Sequence, residues 1–372
     1  MRKYQSIYLL VLLCAVVLCS CSSSRYAAYV VNYPSVDQNG NPLILSGKVT
    51  VPTKKQPRGV MLIPHYTITG NSEAPSMTEK GEQQSFREDY VLVLPDLIGY
   101  GITRDSVHPY LRGDLTAQNC VDMLPAAQHI IDSLHLAASC DSLTIVGFSQ
   151  GGATALWIMQ LLETQYADRY RVQRCFAGSG PYDVAATFDE SVMSGRVGAP
   201  VVIPMLVLGT SAAYGLNLKH EHFFTPRMDE MYNQYVTNKE YAFSKVFFKM
   251  TNHDVSRWLT GCGMDKTQPE TRRLYEGLLR SSLVHYPLDS LEIGAEIICP
   301  EWQPKAPVYV FHSTKDCIVT FHCAEHLQRC WQGLPNVTFD FGNYGSHLRS
   351  AYTFMPKVKK MLDEQSAIIE KK

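Results

Sequence analysis

Residues 143–152 read Leu-Thr-Ile-Val-Gly-Phe-Ser-Gln-Gly-Gly, a β-branched apolar run that stops at Gly147-Phe148-Ser149-Gln150-Gly151. A helix-forming stretch, Ala153 to Glu163, follows directly. Strand, tight turn and helix around G-x-S-x-G form a nucleophile elbow, in which the serine hydroxyl is pushed out above a sheet. Such a turn is strained, and side chains at 147 and 151 would collide with the neighbouring strand and helix. By composition alone the five-residue pattern arises on the order of 0.1 times in a chain of this length, so its flanks carry the argument.

The 372-residue chain is 45% hydrophobic and 19% charged, enough for one large core with an insertion or for two domains. Arg2 and Lys3 precede an apolar run, Ile7 to Leu18, too short for a comfortable membrane span and suited to a secretory leader. Leu18-Cys19-Ser20-Cys21 resembles the bacterial lipoprotein signal, which makes residues 1–20 a signal peptide and Cys21 the lipidated mature N-terminus. Ser22-Ser23-Ser24 reads as a tether. The expected location is therefore extracytoplasmic, with the membrane engaged through the lipid. Formal net charge is −1, and loss of Arg2 and Lys3 leaves 32 basic against 35 acidic residues. Nothing in that balance points to a nucleic-acid partner.

Beyond the leader remain Cys120, Cys140, Cys175, Cys262, Cys299, Cys317, Cys323 and Cys330. An oxidising compartment permits disulfides, but eight cysteines allow 105 full pairings. Cys140 and Cys175 flank strand-like runs and read as small hydrophobes. Cys262 and Cys299 fall in one long insertion and are the expected pair.

The chain is strand-rich first and then alternates. Tyr29 to Tyr33 and Leu43 to Val51 flank the turn Asp37-Gln38-Asn39-Gly40. Val60 to Ile63 and Val91 to Leu94 are wholly apolar, as buried parallel strands are. Gly113 to Leu134 has helical spacing. Strands follow at Leu143 to Val146, Val172 to Ala177, Val308 to Phe311 and Val337 to Phe341, and Tyr352 to Leu362 is a closing helix. Residues 184–304 break the alternation and are too long for a simple loop. They divide a core made of 21–183 and 305–372. Phe223, Phe224, Phe243, Phe247, Phe248 and Trp258 make this insertion too apolar for a solvated connection. It is expected to be a mainly helical cap that covers Ser149 and forms most of an acyl pocket.

A serine hydroxyl needs a base to take its proton and an acid to orient that base. After Ser149, the best-placed acid is Asp316, just past the Val308 strand, with Asp340 as its rival. The best-placed base is His347, just past the Val337 strand. Three required residue types, each after a different strand, would meet at one edge of a parallel sheet. An oxyanion hole needs two backbone N–H donors. Gln150, at a helix N-terminus, supplies one, and the loop after the Val60 strand supplies the other, from Thr67 in preference to Tyr66.

These motifs resemble the α/β-hydrolase superfamily: the elbow, Pro95-Asp96 and the order Ser, Asp, His. Residues 89–101, His108-Pro109-Tyr110, Gly147 to Gly152 and Gly180-Pro181-Tyr182-Asp183 are similar to the secretory lipase branch. The likeness covers about residues 40–183 and 305–350. It implies a mostly parallel central sheet with helices on both faces, and a serine esterase or lipase acting on a small-molecule ester without a cofactor. It also implies structural roles for Asp96, residues 99–101 and His108 to Tyr110. His65 reads as a loop brace.

Other readings compete. His322-Cys323-Ala324-Glu325-His326 spells H-x-x-E-H, a zinc-protease pattern. A third ligand should lie well downstream, and only 46 residues remain, so no metal site is expected. His220-Glu221-His222 lacks ligand spacing. A peptidase of the prolyl-oligopeptidase kind shares the triad order but brings a repeat propeller that this chain lacks. A carbohydrate acyl esterase and a non-catalytic hydrolase-fold binding protein are further alternatives.

Overall fold

The computed structural model describes residues 25–287 and 296–369. The leader and Cys21 lie outside them. One eight-stranded sheet organises the chain, in the order β1-β2-β4-β3-β5-β6-β7-β8. Its strands are β1 (Tyr26–Val36), β2 (Pro42–Pro52), β3 (Val60–Leu62), β4 (Val91–Pro95), β5 (Ser142–Phe148), β6 (Arg171–Gly178), β7 (Val308–Ser313) and β8 (Val337–Gly342). β1 and β2 form an antiparallel hairpin, β2 joins β4 antiparallel, and every later pairing is parallel.

Local chemistry explains the pieces. The hairpin turn is closed by Asp37, whose Oδ1 accepts the N–H groups of Asn39 and Asn41 at 2.8 Å each, with Gly40 at φ 80°. β3 and β4 are buried along their whole length, as their unbroken apolar runs require. The helical stretch expected over Gly113 to Leu134 is two helices, α1 (Gly113–Val121) and α2 (Leu124–Ser133). Pro125 causes the break: it suits the first turn of a helix and cannot donate within one. The elbow helix α3 spans Gln150–Thr164.

Residues 184–287 form α4 (Val184–Met193), α5 (Val202–Tyr214), α6 (His220–Phe223), α7 (Pro226–Tyr235), α8 (Phe243–Lys249), α9 (Gly261–Met264) and α10 (Pro269–Ser281). They pack around their own apolar cluster, which includes Phe223, Phe224, Met228, Val246 and Trp258. The chain then returns through β7, α11 (Phe321–Trp331), β8 and α12 (His347–Ile369). The closing helix starts earlier than its apolar spacing suggests, at His347 itself. One face of the sheet carries α1, α2, α3 and α11; the other is covered by α12 with Phe86 and Tyr90.

Among the described residues a disulfide joins Cys299 and Cys330, with Cα atoms 5.5 Å apart. This corrects the expected Cys262–Cys299 pair: Cys262 is free and exposed on α9. Cys299 belongs to the segment returning to the core, where α11 brings Cys330 within bridging distance. Cys140 and Cys175 are free and buried, packed in the main core.

Candidate active site

β5 ends at Phe148 and α3 begins at Gln150, so Ser149 alone makes the turn, at φ 58° and ψ −124°. That conformation is costly for a residue with a Cβ and persists only where the surroundings hold it. Here the Ser149 N–H donates to the Gly178 carbonyl at 2.8 Å. A Cβ on Gly147 would stand 2.1 Å from the Gly151 oxygen, and one on Gly151 would stand 2.2 Å from the Pro64 oxygen. Only glycine lets strand, helix and the loop after β3 approach this closely.

The carboxyl ends of β5, β7 and β8 bring Ser149, Asp316 and His347 together. His347 Nε2 lies 2.8 Å from Ser149 Oγ, and its Nδ1 lies 2.6 Å from Asp316 Oδ2. A carboxylate only accepts, so Nδ1 carries the proton and Nε2 is free to accept from the hydroxyl. Asp316 Oδ1 accepts the N–H groups of Ile318 at 2.9 Å and Val319 at 3.0 Å. Burial pushes the Asp316 carboxyl up, but the adjoining His347 imidazole and these donors outweigh it and hold its pKa below the usual value. All three side chains are buried. The rival Asp340 is engaged elsewhere, by the hydroxyls of Tyr309 and Tyr344 and by Lys357 Nζ at 2.5 Å.

The expected oxyanion donors stand beside the elbow. Gln150 opens α3, and the loop from Pro64 runs against Gly151. Both are buttressed from one segment, residues 98–110. Gln150 Nε2 donates to His108 Nε2 at 2.8 Å, while His108 Nδ1–H donates to the Ile98 carbonyl at 2.7 Å. Burial lowers the His108 pKa to about 3, which keeps the ring neutral and lets one nitrogen accept while the other donates. Thr67 Oγ1 meets Tyr110 Oη at 2.7 Å, whereas the Tyr66 side chain is exposed. His65 braces the same loop through the carbonyls of Tyr66 and Asp96. The Asp96 carboxylate accepts from Ser46 Oγ at 2.6 Å and the Ser76 N–H at 2.8 Å.

Residues 239–243 tie the inserted helices to this loop. Thr69 Oγ1 donates to the Tyr241 carbonyl at 2.8 Å, the Asn71 N–H to the Lys239 carbonyl at 2.7 Å, and the Phe243 N–H to Glu73 at 2.8 Å. Lys239 Nζ grips the carbonyls of Gly99, Arg104 and Ser106. Near the acid loop lies a cleft of about 490 Å³ lined by Glu190, Arg196, Phe247, His253, Asp316 and Cys317, among others. The Cys317 thiol also lies against the His347 backbone N–H. Of the six aromatics singled out in the sequence, Phe247 is the one lining this cleft. Phe223, Phe224 and Trp258 are buried in the insertion's own core, Phe243 packs on Phe247, and Phe248 is 73% exposed.

The H-x-x-E-H histidines are engaged separately. His322 Nδ1 meets Glu190 at 3.0 Å, and buried His326 meets the Asp183 carboxylate at 2.9 Å. His222 bonds Thr271 Oγ1 at 2.9 Å. His312, which no sequence motif marks, is fully buried beside Asp316. Its one legible signal was its place near the end of β7, four residues before the acid.

The chain has the α/β-hydrolase fold. It superposes on the cell-wall-degrading esterase LipA from Xanthomonas oryzae with a TM-score of 0.74 at 19% identity, covering 90% of this chain and 88% of that one. A hydrolase from Legionella pneumophila gives 0.71 at 19% identity, covering 91% and 88%. Candida antarctica lipase A gives 0.60 at 16% identity, covering 88% and 74%. No family model and no curated protein sequence matches the chain.

Proposed function

We propose that the protein is a serine carboxylic-ester hydrolase working through an acyl-enzyme intermediate. The observation that carries this reading is the unbroken contact from Asp316 through His347 to Ser149 Oγ, with Ser149 on a strained elbow. Ser149 Oγ attacks the ester carbonyl as His347 Nε2 takes its proton. Asp316 holds the imidazole in register and stabilises its charged form. The developing oxyanion is received by the backbone N–H of Gln150 and that of Thr67, with the α3 dipole adding to the first. His347 then returns the proton to the departing alcohol, and water releases the acid by the same route.

The imidazole must reach the leaving oxygen, so the alcohol half departs on the His347 side. We assign it to the cleft lined by Asp316 and Cys317, the two residues that adjoin His347. Glu190, Arg196 and His253 among the lining residues suit an alcohol that itself carries polar groups. This assignment departs from the acyl pocket expected there. The esterase similarity is at the level of fold, and the chemistry rests on the site. Assay of p-nitrophenyl esters from C2 to C16, beside a dipeptide anilide, tests the reading: ester turnover that disappears in Ser149→Ala is expected, and hydrolysis of the anilide alone would overturn it.

Anchoring is a separate part of the proposal. Cys21 carries lipid and holds the enzyme on the extracytoplasmic side of a membrane, since two or three acyl chains suffice for stable attachment. Mass spectrometry of the mature N-terminus decides it, and an unmodified N-terminus in the soluble fraction refutes it.

A further inference from the structure

Asp316 has a second imidazole beside it. His312, near the end of β7, is fully buried, and its Nε2 lies 3.7 Å from Asp316 Oδ2, the oxygen that also receives His347 Nδ1. The same Nε2 stands 3.2 Å from the Val319 carbonyl, on the loop whose N–H groups hold Asp316 Oδ1. With two oxygens facing it, Nε2 is the protonated nitrogen of a neutral ring. Burial drives the His312 pKa down to about 4, with Asp316 opposing and His347 adding to the shift, so the ring stays uncharged at neutral pH. Its Nδ1 is buried without a partner, as is Ser179 Oγ. The Ser179 N–H donates to the Phe311 carbonyl, one residue before His312, at 2.7 Å. The ring packs against Phe321, with centroids 5.9 Å apart.

We propose that His312 is a positioning residue for the triad: its Nε2–H fixes the acid loop through Val319 and sets the direction and charge of Asp316 Oδ2 toward His347. This rests on the serine-hydrolase reading and deepens it. The N–H dipole presents its positive end to the carboxylate, so it tempers the pull of Asp316 on the His347 imidazolium. Removing it should leave the acid loop, and with it the His347 ring, less sharply placed.

Three substitutions separate this role from packing. Glutamine can place an N–H where Nε2 was, asparagine only where Nδ1 was, and phenylalanine fills the space with neither. His312→Phe and His312→Asn are expected to lower kcat, up to about a hundred-fold for a displacement near 1 Å, with KM little changed. His312→Gln should recover most of the kcat, at a thermal stability no better than that of His312→Asn. Wild-type kcat in both His312→Phe and His312→Asn would overturn the inference, and so would losses that follow thermal stability across all three. Ser149→Ala run in parallel keeps the two readings distinct. If that variant is active, the triad falls and this inference with it; if it is dead while His312→Phe and His312→Asn both behave as wild type, this inference alone falls.

Discussion

The carboxyl edge of the sheet and the inserted helices above it use their large and reactive side chains in opposite ways. At the sheet edge, each residue of the candidate site follows a strand, and the strand order fixes where it goes. Ser149, Asp316 and His347 come from positions far apart in sequence, yet the parallel pairing of β5, β6, β7 and β8 leaves them little choice but to meet. In the insertion, side chains of one kind have unlike fates. Trp258 and Phe223 are core, Phe247 lines a cleft, and Phe248 faces solvent. A strand reports direction and side-chain parity in its sequence, whereas a short helix in an irregular cap reports only that one side is buried.

The largest effect that could break this contrast belongs to the sheet edge. Ser149→Ala should lower kcat for ester hydrolysis by about a million-fold with the far-ultraviolet circular dichroism unchanged. Near wild-type turnover would leave the strained elbow without a purpose. Asp316→Asn comes next, at roughly ten-thousand-fold in kcat with little change in KM, because the amide can hold the imidazole in the wrong tautomer. Asp340→Asn provides the counter-measurement. Asp340 serves Tyr309, Tyr344 and Lys357, so its loss should appear in thermal stability and leave kcat within a small factor. The reverse ranking would move the acid to β8.

In the insertion the same scale of perturbation should fall on folding. Trp258 is 2% exposed, and its Nε1–H donates to the Asn252 carbonyl at 2.5 Å. Trp258→Ala removes both the packing and the donor, and should cost about 3–5 kcal/mol of stability. Denaturant unfolding read against kcat/KM for a fixed ester in the folded fraction checks it. Unchanged stability with an altered substrate profile would return Trp258 to the substrate pocket.

Much of the sheet-edge site was legible because its signals are local and mutually consistent. G-x-S-x-G needs a strand before and a helix after, and both were visible as residue types. Asp316 stands ahead of Asp340 on chain order and loop position, and its Oδ2 is the carboxylate oxygen 2.6 Å from His347 Nδ1. Less was legible where partners are set by packing. Pro125 splits a helix that apolar spacing alone runs together. The Cys299–Cys330 bridge depends on where the returning segment meets α11, which no spacing rule encodes. Lys239 reads as an ordinary surface lysine, yet its ammonium group is held by three carbonyls of residues 99–106. His312 was hidden because a histidine in a strand is most simply a core residue, and only the fold sets it beside Asp316.

Phe247 gives the smallest expected effect and the sharpest test of how the two regions share the substrate. It packs on Phe243, with ring centroids 6.1 Å apart, and it lines the cleft that also contains Asp316 and Cys317. It is only partly buried, so Phe247→Ala should cost less stability than Trp258→Ala. If the cleft takes the alcohol half, the variant should change discrimination among acetates of different alcohols by about 1–3 kcal/mol, or roughly 10- to 200-fold in relative kcat/KM. Its preference along a series of p-nitrophenyl esters of increasing acyl length should stay fixed, because the acyl chain, which stays on Ser149, extends from the other side of the tetrahedral carbon. Two substrate series on one variant therefore separate the halves of the pocket. A shift confined to the acyl series would make the cleft an acyl pocket and place the alcohol elsewhere. No shift in either, with lowered stability, would make Phe247 one more core aromatic and leave substrate choice to the loops of the sheet edge.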